Sequence, residues 1–394
     1  FFSCLFFLDV RCATTVVEMT KSGKTQSPYQ KVIQYLDNIG ATHLCRWIPK
    51  KWEKVGHVIV LRYVAELHEF EKEVGNAFIK VFPDVDVVVV DGHGVQGELR
   101  QPTSRVVMQR EGGPCSGTTE VLHIENGVKY KWDVLQIMFS SGNTKERIRF
   151  RREVKAKDEI VVDMFAGLGY FSIPLAMATA VNRPRHVYCI EKNPTSHHYL
   201  KENVQLNKVG DTVTTMCGDN REVGEELLGT ANRVLMGYLP TPVTFLPRAY
   251  AFLDPLQGGV IHYHYTATKA ECVTLPAQHV AEMLGPLGVV VVSQEEPGVG
   301  SGTVAGDLDL AEDRGSGARG GEARTEAALL EGTVDEATCV SQTLGPAARA
   351  CPARPVVCTF LKVHCIKSYC PQVFHWIAEM DFRPHTLTPN TTCP

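Results

Sequence analysis

The stretch VVDMFAGLGYFSIP (161–174) joins an apolar run to a Gly-x-Gly turn and the start of a helix. Glycine at 167 and 169 lets backbone approach a ligand closely, and a helix N-terminus favours polar or anionic groups. Phe165 and Gly167 are therefore candidate cofactor contacts. The third glycine of a dinucleotide fingerprint is replaced by Ser172, which disfavours NAD, and the Lys-Ser/Thr of a phosphate loop is absent as well. The next apolar run ends in YCIEKNP, placing Glu191 where a carboxylate accepts from both hydroxyls of a ribose. The run after that ends in MCGDNR, where Asp219 and Asn220 can read an adenine edge, the Asp by accepting and the Asn by doing both. These polar points at successive strand ends, without a phosphate loop, make S-adenosylmethionine the natural nucleoside co-substrate. A fourth run, RVLMGYLPTP (233–242), ends differently. Where many nucleotide-dependent transferases hold the reacting atom with a polar group, this chain has Gly237, Tyr238, Leu239 and Pro240.

The elements that must position these residues alternate regularly from Ile160: strand IVVDMF, helix YFSIPLAMATA, strand HVYCIE, helix PTSHHYLKENVQLN, strand TVTTMC. A short helix, strand RVLMG, helix VTFLPRAYAFLD and strand GGVIHYHY follow. This pattern predicts an α/β fold, a doubly wound and mostly parallel sheet with helices on both faces. Three polar points at the carboxyl ends of its strands then share one crevice at the topological switch point.

Upstream, residues 28–143 mix the helical YQKVIQYLDNIG with strands HVIVLR, VDVVVV, SRVVMQ and TEVLHI, and Asn126-Gly127 is a type I′ hairpin signal. They predict a smaller α+β N-terminal domain, preceded by a poorly specified segment, 1–27. The catalytic domain is expected over 144–294 and 356–382. Between its two parts, residues 295–355 are rich in Gly, Ala, Glu and Arg and nearly free of aromatics, which predicts a disordered insertion. VVCTFLKVHCIKSYCPQVFHWIAEMDF should form an antiparallel pair completing the sheet, and 383–394 a tail.

Composition excludes several classes. A net charge of −4 gives no global nucleic-acid signal, so any polyanion site must be a local basic patch. The 13 cysteines contain no CxxC pair, which argues against a zinc ribbon or disulfide framework and for a reduced, cytoplasmic setting. FFSCLFFL at the start is short, lacks a basic flank and reads as a clipped beginning rather than a signal peptide. No membrane, DNA or metal partner is expected, and the chain is read as a monomer.

DMFAGLGYFSIP, CIEKNPTSHHYLKENVQLNKV, GDNRE and RVLMGYLPT resemble the class I S-adenosylmethionine-dependent methyltransferase (Rossmann-like) fold, in the branch that modifies tRNA position 37. Two members of that branch compete: guanine-37 N1-methyltransferases and wybutosine-synthesising aminocarboxypropyltransferases. The methyltransferases carry a Ser-Pro-Arg loop and an Asn-Leu-Pro turn; this chain has FSSGNTKER and GYLP, and IPKKWEKVGHVIVL and VHCIKSYCP also resemble the aminocarboxypropyltransferases. The resemblance covers about 45–290 and 355–382.

It implies cofactor contacts at Ser140, Arg147, Glu191, Asp219 and Asn220, with Arg147 standing where lysine is expected and holding the methionine carboxylate. Arginine offers a planar fork that lysine lacks. It also implies an acceptor, C7 of 4-demethylwyosine at position 37 in the anticodon loop of phenylalanine tRNA, with methylthioadenosine leaving. An electron-rich ring carbon needs alignment and a stacking surface more than a base, and Tyr238 is the candidate surface, although a tyrosine packed at a loop base explains it equally well. The alternatives are N1-methylation of guanine-37 and a cofactor- and RNA-binding module without turnover.

Two basic runs, each of which alone would read as a solvated face, together with this resemblance point to an RNA partner, with the N-terminal domain among the expected tRNA contacts. KERIRFRREVKAK (145–157) holds seven Lys/Arg against two Glu, and CRWIPKKWEK (45–54) sets Arg46, Lys50, Lys51 and Lys54 beside Trp47 and Trp52. Cations fix phosphates while aromatics stack on unpaired bases. His262 and His264 in HYHY share one strand face, and a packed pair explains them better than a metal site.

Overall fold

The computed structural model describes residues 26–92, 94–139, 141–292 and 355–385. The expected segments 1–27 and 295–355, and the end of the 383–394 tail, fall almost wholly outside them. Among the described residues no helix is long and apolar enough to cross a membrane. The chain divides into two compact units: one of residues up to 123 with 132–139, the other of 124–131 with 140 onward.

In the first unit, helix α1 (Pro28–Asn38) starts at a capping box. Ser27 Oγ accepts from Gln30 N while Gln30 Oε1 accepts from Ser27 N, satisfying two groups that every helix start leaves open. Val32 and Leu36, one turn apart, turn its apolar face into the core. Strands β1 (Glu53–Val55), β2 (Val58–Arg62) and β3 (Val87–Asp91) follow, with helix α2 (Glu71–Val81) crossing between the parallel pair β2 and β3. A two-strand ribbon, β4 (Val95–Gln96) with β5 (Gln101–Pro102), precedes β6 (Arg105–Gln109), and the sheet order is β1-β2-β3-β6. Helix α2 was not among the elements read from sequence. Its Gly75 sits against β6, where a Cβ would come within 2.6 Å of Met108 Cβ, so the close packing depends on glycine.

Strands β7 (Glu120–Glu125) and β8 (Val128–Asp133) form the hairpin signalled by Asn126-Gly127, both at positive φ (50° and 76°) as a type I′ turn requires. The hairpin tip, 124–131, groups with the second unit, not with the 28–143 segment in which the sequence reading put it. The reason is a pair of asparagines: Asn203 Oδ1 accepts from Lys131 N at 2.7 Å and Asn207 Oδ1 from Lys129 N at 2.8 Å. Their amide groups return bonds to the carbonyls of the same two residues.

The second unit is the doubly wound sheet. In chain order it contains α3 (Thr144–Arg152), β9 (Ile160–Asp163), α4 (Ser172–Ala176), β10 (His186–Glu191), α5 (Pro194–Leu206), β11 (Val213–Cys217), β12 (Arg233–Met236) and α6 (Leu246–Phe252). β13 (Gly259–Ala267), α7 (Thr274–Leu284), β14 (Val289–Val292), β15 (Val356–Cys370) and β16 (Val373–Pro384) complete it. The sheet order is β11-β10-β9-β12-β13-β16-β15-β14. The first five strands are parallel, and β16 runs antiparallel to β13 and β15, as expected of the last two runs. The order reverses at β9, so a crevice opens beyond its carboxyl end.

Three element boundaries differ from the reading. The helix after the glycine turn spans only Ser172–Ala176, because Thr179 and the residues after it turn back toward β10. Helix α6 begins at Leu246, with Pro247 in its first turn. Strand β16 continues to Pro384, past the expected end at 382, because Val356 still pairs with Pro384. Helix α7, also unread, packs Val280 and Leu284 into the core cluster that includes Tyr263, Tyr265 and Cys358.

Candidate functional site

The glycine turn after β9 is held by Asp163. This residue is fully buried; Ser172 donates its hydroxyl to Oδ2, and Phe165 N donates to Oδ1 at 3.2 Å. Burial raises its carboxyl pKa to about 6 against these two bonds. The sequence reading left Asp163 out, though an acid ending the strand before a glycine turn was a visible signal. Gly167 (φ 55°) and Gly169 (φ 88°) adopt the left-handed backbone that disfavours side chains. A Cβ on Gly169 would lie 2.5 Å from Ile173 Cδ1, which leaves no substitute for glycine there.

Glu191 ends β10 and reaches back over that turn. Oε2 accepts from Gly167 N at 2.8 Å and Oε1 from Asn193 N at 2.7 Å, and burial raises its pKa. The backbone of Lys192 also supports the charged carboxylate, and of its roughly four acceptor directions one remains for a ribose hydroxyl.

Asp219 and Asn220, after β11, divide their expected task unequally. Asp219 receives Lys192 Nζ at 3.0 Å, Arg221 N at 2.9 Å and the Arg221 guanidinium through Nε at 2.9 Å. The Arg221 bond, opposed by partial burial, holds its carboxyl far below the usual range. It is thus an ionised anchor already neutralised by two cations. Lys192 and Arg221 were not singled out in the sequence, since their role appears only when β10 and β11 lie side by side. Asn220 donates Nδ2 to Met164 O at 2.9 Å, while its Oδ1 is buried without a hydrogen-bond partner. A buried, unused acceptor is unfavourable unless a ligand donor meets it, and an adenine amino group is such a donor. The residues present therefore fit a nucleoside: Glu191 at the ribose, Asn220 at the base.

The turn after β12 is apolar and tightly held. Gly237 packs on Phe171, where a Cβ would stand 3.1 Å from the ring. The Tyr238 ring lies 5.1 Å from that of Phe165 and 6.2 Å from that of Phe245, so the structure brings Phe165 and Tyr238 together and gives Tyr238 a packing role. The Leu239–Pro240 peptide is cis. Pro240 O accepts from Thr266 N at 2.9 Å, and Thr241 Oγ1 lies 3.0 Å from Tyr263 Oη, itself 2.8 Å from His279 Nδ1.

Ser140 lies outside the described residues. Arg147 is 3% exposed on α3 and is bound through Nε and Nη2 to the two oxygens of Glu125, each at 2.7 Å. The fork expected at a substrate carboxylate is thus engaged by a carboxylate of the chain.

The basic runs are less uniform than their charge suggests. Within 145–157, Arg149 is committed to Glu146 and Glu379, and the exposed cations are Lys145, Arg152, Lys155 and Lys157. In 45–54, Trp52 packs edge-on against Phe78 at 5.0 Å, and Arg46 covers Trp47 at 4.9 Å, so the Trp52 ring serves the core. His262 and His264 are buried, the first 2.6 Å from Arg233 Nη1 and the second 3.1 Å from His375 Nε2.

Residues 121–292 match the TRM5/TYW2 methyltransferase domain, and residues 32–108 match the TYW2 N-terminal domain. The tRNA(Phe) (4-demethylwyosine(37)-C(7)) aminocarboxypropyltransferase of Pyrococcus horikoshii is 36% identical over 246 residues, which is 62% of this chain and 82% of that protein. The tRNA (guanine(37)-N(1))-methyltransferase Trm5b of Pyrococcus abyssi is 29% identical over 274 residues, 70% of this chain and 76% of that protein. Among solved structures, M. jannaschii TYW2 in complex with AdoMet superposes with a TM-score of 0.51 at 26% identity, covering 85% of this chain and all of that one. The fold is that of the class I S-adenosylmethionine-dependent enzymes, and the chain belongs to the TYW2 family of tRNA wybutosine-synthesizing proteins.

Proposed function

We propose that this chain transfers the 3-amino-3-carboxypropyl group of S-adenosylmethionine to C7 of 4-demethylwyosine at position 37 of phenylalanine tRNA. The observation that carries the reading is the apolar turn Gly237–Pro240 beside the nucleoside crevice, in a chain more similar to an aminocarboxypropyltransferase than to the guanine-37 methyltransferase. Methylation at guanine N1 must strip a proton from a polar edge, and this turn supplies aromatic and aliphatic surface instead.

Glu191 and Asn220 hold the nucleoside, and Asp219, clamped by Lys192 and Arg221, fixes the loop from which Asn220 points. Phe165 and Gly167 line the turn beside it, Ser140 remains the contact expected at the methionyl end, and Arg147 acts through its pair with Glu125. What the co-substrate supplies is a sulfonium whose aminocarboxypropyl carbon takes the electron pair of C7 as its bond to sulfur breaks, leaving neutral methylthioadenosine. Loss of the C7 proton restores the ring. Gly237, Tyr238, Leu239 and Pro240 form the floor that aligns the base, and alignment is the main contribution such a reaction needs.

The exposed cations Lys145, Arg152, Lys155 and Lys157 contact phosphates of the anticodon arm, and the enzyme works as a monomer in the cytoplasm. Mass spectrometry of position 37 in tRNA from cells lacking this protein tests the reading. Accumulated 4-demethylwyosine is expected; unmodified guanosine would assign the chain to the methylation step instead.

A further inference from the structure

The turn Gly237–Pro240 is tethered to β13 at two points. Pro240 O accepts from Thr266 N at 2.9 Å and from Thr266 Oγ1 at 3.3 Å, which fixes the carbonyl. The second tether runs through side chains. Tyr263 pairs with Met236, the residue just before Gly237, so its backbone lies beside the point where the turn leaves the sheet. Its ring is fully buried, stacked on Tyr265 at 5.5 Å and met edge-on by the His279 ring at 5.9 Å. Packing therefore fixes where the hydroxyl points. It lies 3.0 Å from Oγ1 of Thr241, the first residue after the turn, and 2.8 Å from His279 Nδ1 on α7.

Burial, opposed by the bond to Thr241, raises the Tyr263 pKa far above the usual phenol range, and burial lowers that of His279 against the charge of Glu282. Near neutral pH the phenol keeps its proton and the imidazole stays uncharged. With Nδ1 accepting, the two hydroxyls donate in series, Thr241 to Tyr263 and Tyr263 to His279, and neither proton is left unpaired. A base aligned by contact depends on where its floor stands, and a misplacement of about 1 Å costs about a hundredfold in rate. We propose that Tyr263 and His279 are positioning residues for the transfer: the relay Thr241–Tyr263–His279 ties the end of the acceptor turn to α7 and sets the height of the floor under the base. Both act through Thr241, not on the reacting atoms. The proposal rests on the reading of Gly237–Pro240 as that floor.

The test follows transfer from carboxyl-labelled S-adenosylmethionine to tRNA bearing 4-demethylwyosine, with calorimetric titration of methylthioadenosine beside it. Tyr263→Phe keeps the buried ring and removes only the hydroxyl; Thr241→Val breaks the relay from the turn and His279→Leu from α7. Each should lower kcat by about tenfold or more, with the KM for tRNA and the methylthioadenosine dissociation constant within about twofold of wild type. Tyr263→Phe combined with His279→Leu should lose no more than either alone, since both break one relay. His279→Asn, whose amide oxygen can accept in place of Nδ1, should keep most of the wild-type rate. Wild-type kcat in Tyr263→Phe overturns the proposal, as do losses that multiply in the double variant. Weakening of methylthioadenosine binding in step with kcat overturns it too, since that marks a general loss of structure. A wild-type chain that transfers no carboxyl label contradicts the reading of the turn, and the proposal with it; transfer that the variants leave unchanged contradicts the relay alone.

Discussion

Glu125 meets Arg147 edge to edge, Oε1 to Nε and Oε2 to Nη2, across the 22 residues that separate the hairpin from α3. Thr144 Oγ1 donates to the same carboxylate at 2.9 Å, so the start of α3 and the hairpin tip are joined through one buried ion pair. Removing one partner leaves the other charge buried. Glu125→Ala should lower unfolding free energy by about 3 kcal/mol in urea titrations. A loss near zero would mean that the guanidinium finds other compensation, and that the pair does not fix the helix start.

Asn220 gives a prediction about binding. Its free Oδ1 is the acceptor offered to the base, while Nδ2 is used within the chain. Asn220→Ala should weaken S-adenosylmethionine binding by about tenfold, one hydrogen bond's worth, in calorimetric titration. An unchanged dissociation constant would remove Asn220 from the site.

The glycine turn tests steric demand. Gly169 combines φ 88° with a Cβ position only 2.5 Å from Ile173 Cδ1 and 3.0 Å from Leu200 Cδ1. Gly169→Ala should cost about 2 kcal/mol or more of stability, from left-handed backbone and overpacking together. Thermal melts of the two proteins would show it, and equal melting temperatures would refute it.

Much of this arrangement was legible in the sequence because strand ends in a parallel sheet are ordered by alternation alone. That is why the sequence alone puts Glu191 at the end of β10 and Asp219 and Asn220 just after β11, beside the turn after β9. What could not be read are side-chain partnerships across the fold. Arg147 looked available for a substrate carboxylate, but its partner Glu125 lies on a hairpin whose tip Asn203 and Asn207 draw to α5. Asp219 looked like a reader of adenine until Lys192, from the neighbouring strand end, closed on it. Trp52, flanked by lysines, suggested a stacking platform, but Phe78 and Phe82 claim its ring.

His375 carries a pH prediction. Burial, reinforced by the charge of Lys367 and opposed by Glu146, lowers its pKa to about 4, and the buried His264 beside it is lowered as well. The folded chain keeps this imidazole neutral down to that pH, whereas the unfolded chain protonates near 6.5. Between those values the unfolded state binds more protons, so the stability His375 contributes is complete above about pH 6.5 and is lost toward pH 4. His375→Gln should make the decline across this window shallower by up to about 3 kcal/mol. Glu146, lowered to about 2 by His364 and Arg149 against its burial, acts at lower pH and leaves the window to the histidines. Urea titrations from pH 4 to 7 would check it; parallel curves for the two proteins would contradict it.

The central claim is which carbon of the sulfonium reaches the RNA. Phenylalanine tRNA bearing 4-demethylwyosine should be incubated with this protein and S-adenosylmethionine labelled either in the methyl group or in the methionyl carboxyl carbon. Transfer of the carboxyl label to the tRNA, with the methyl label released in methylthioadenosine, is the predicted result. Methyl label in the tRNA without carboxyl label would contradict it.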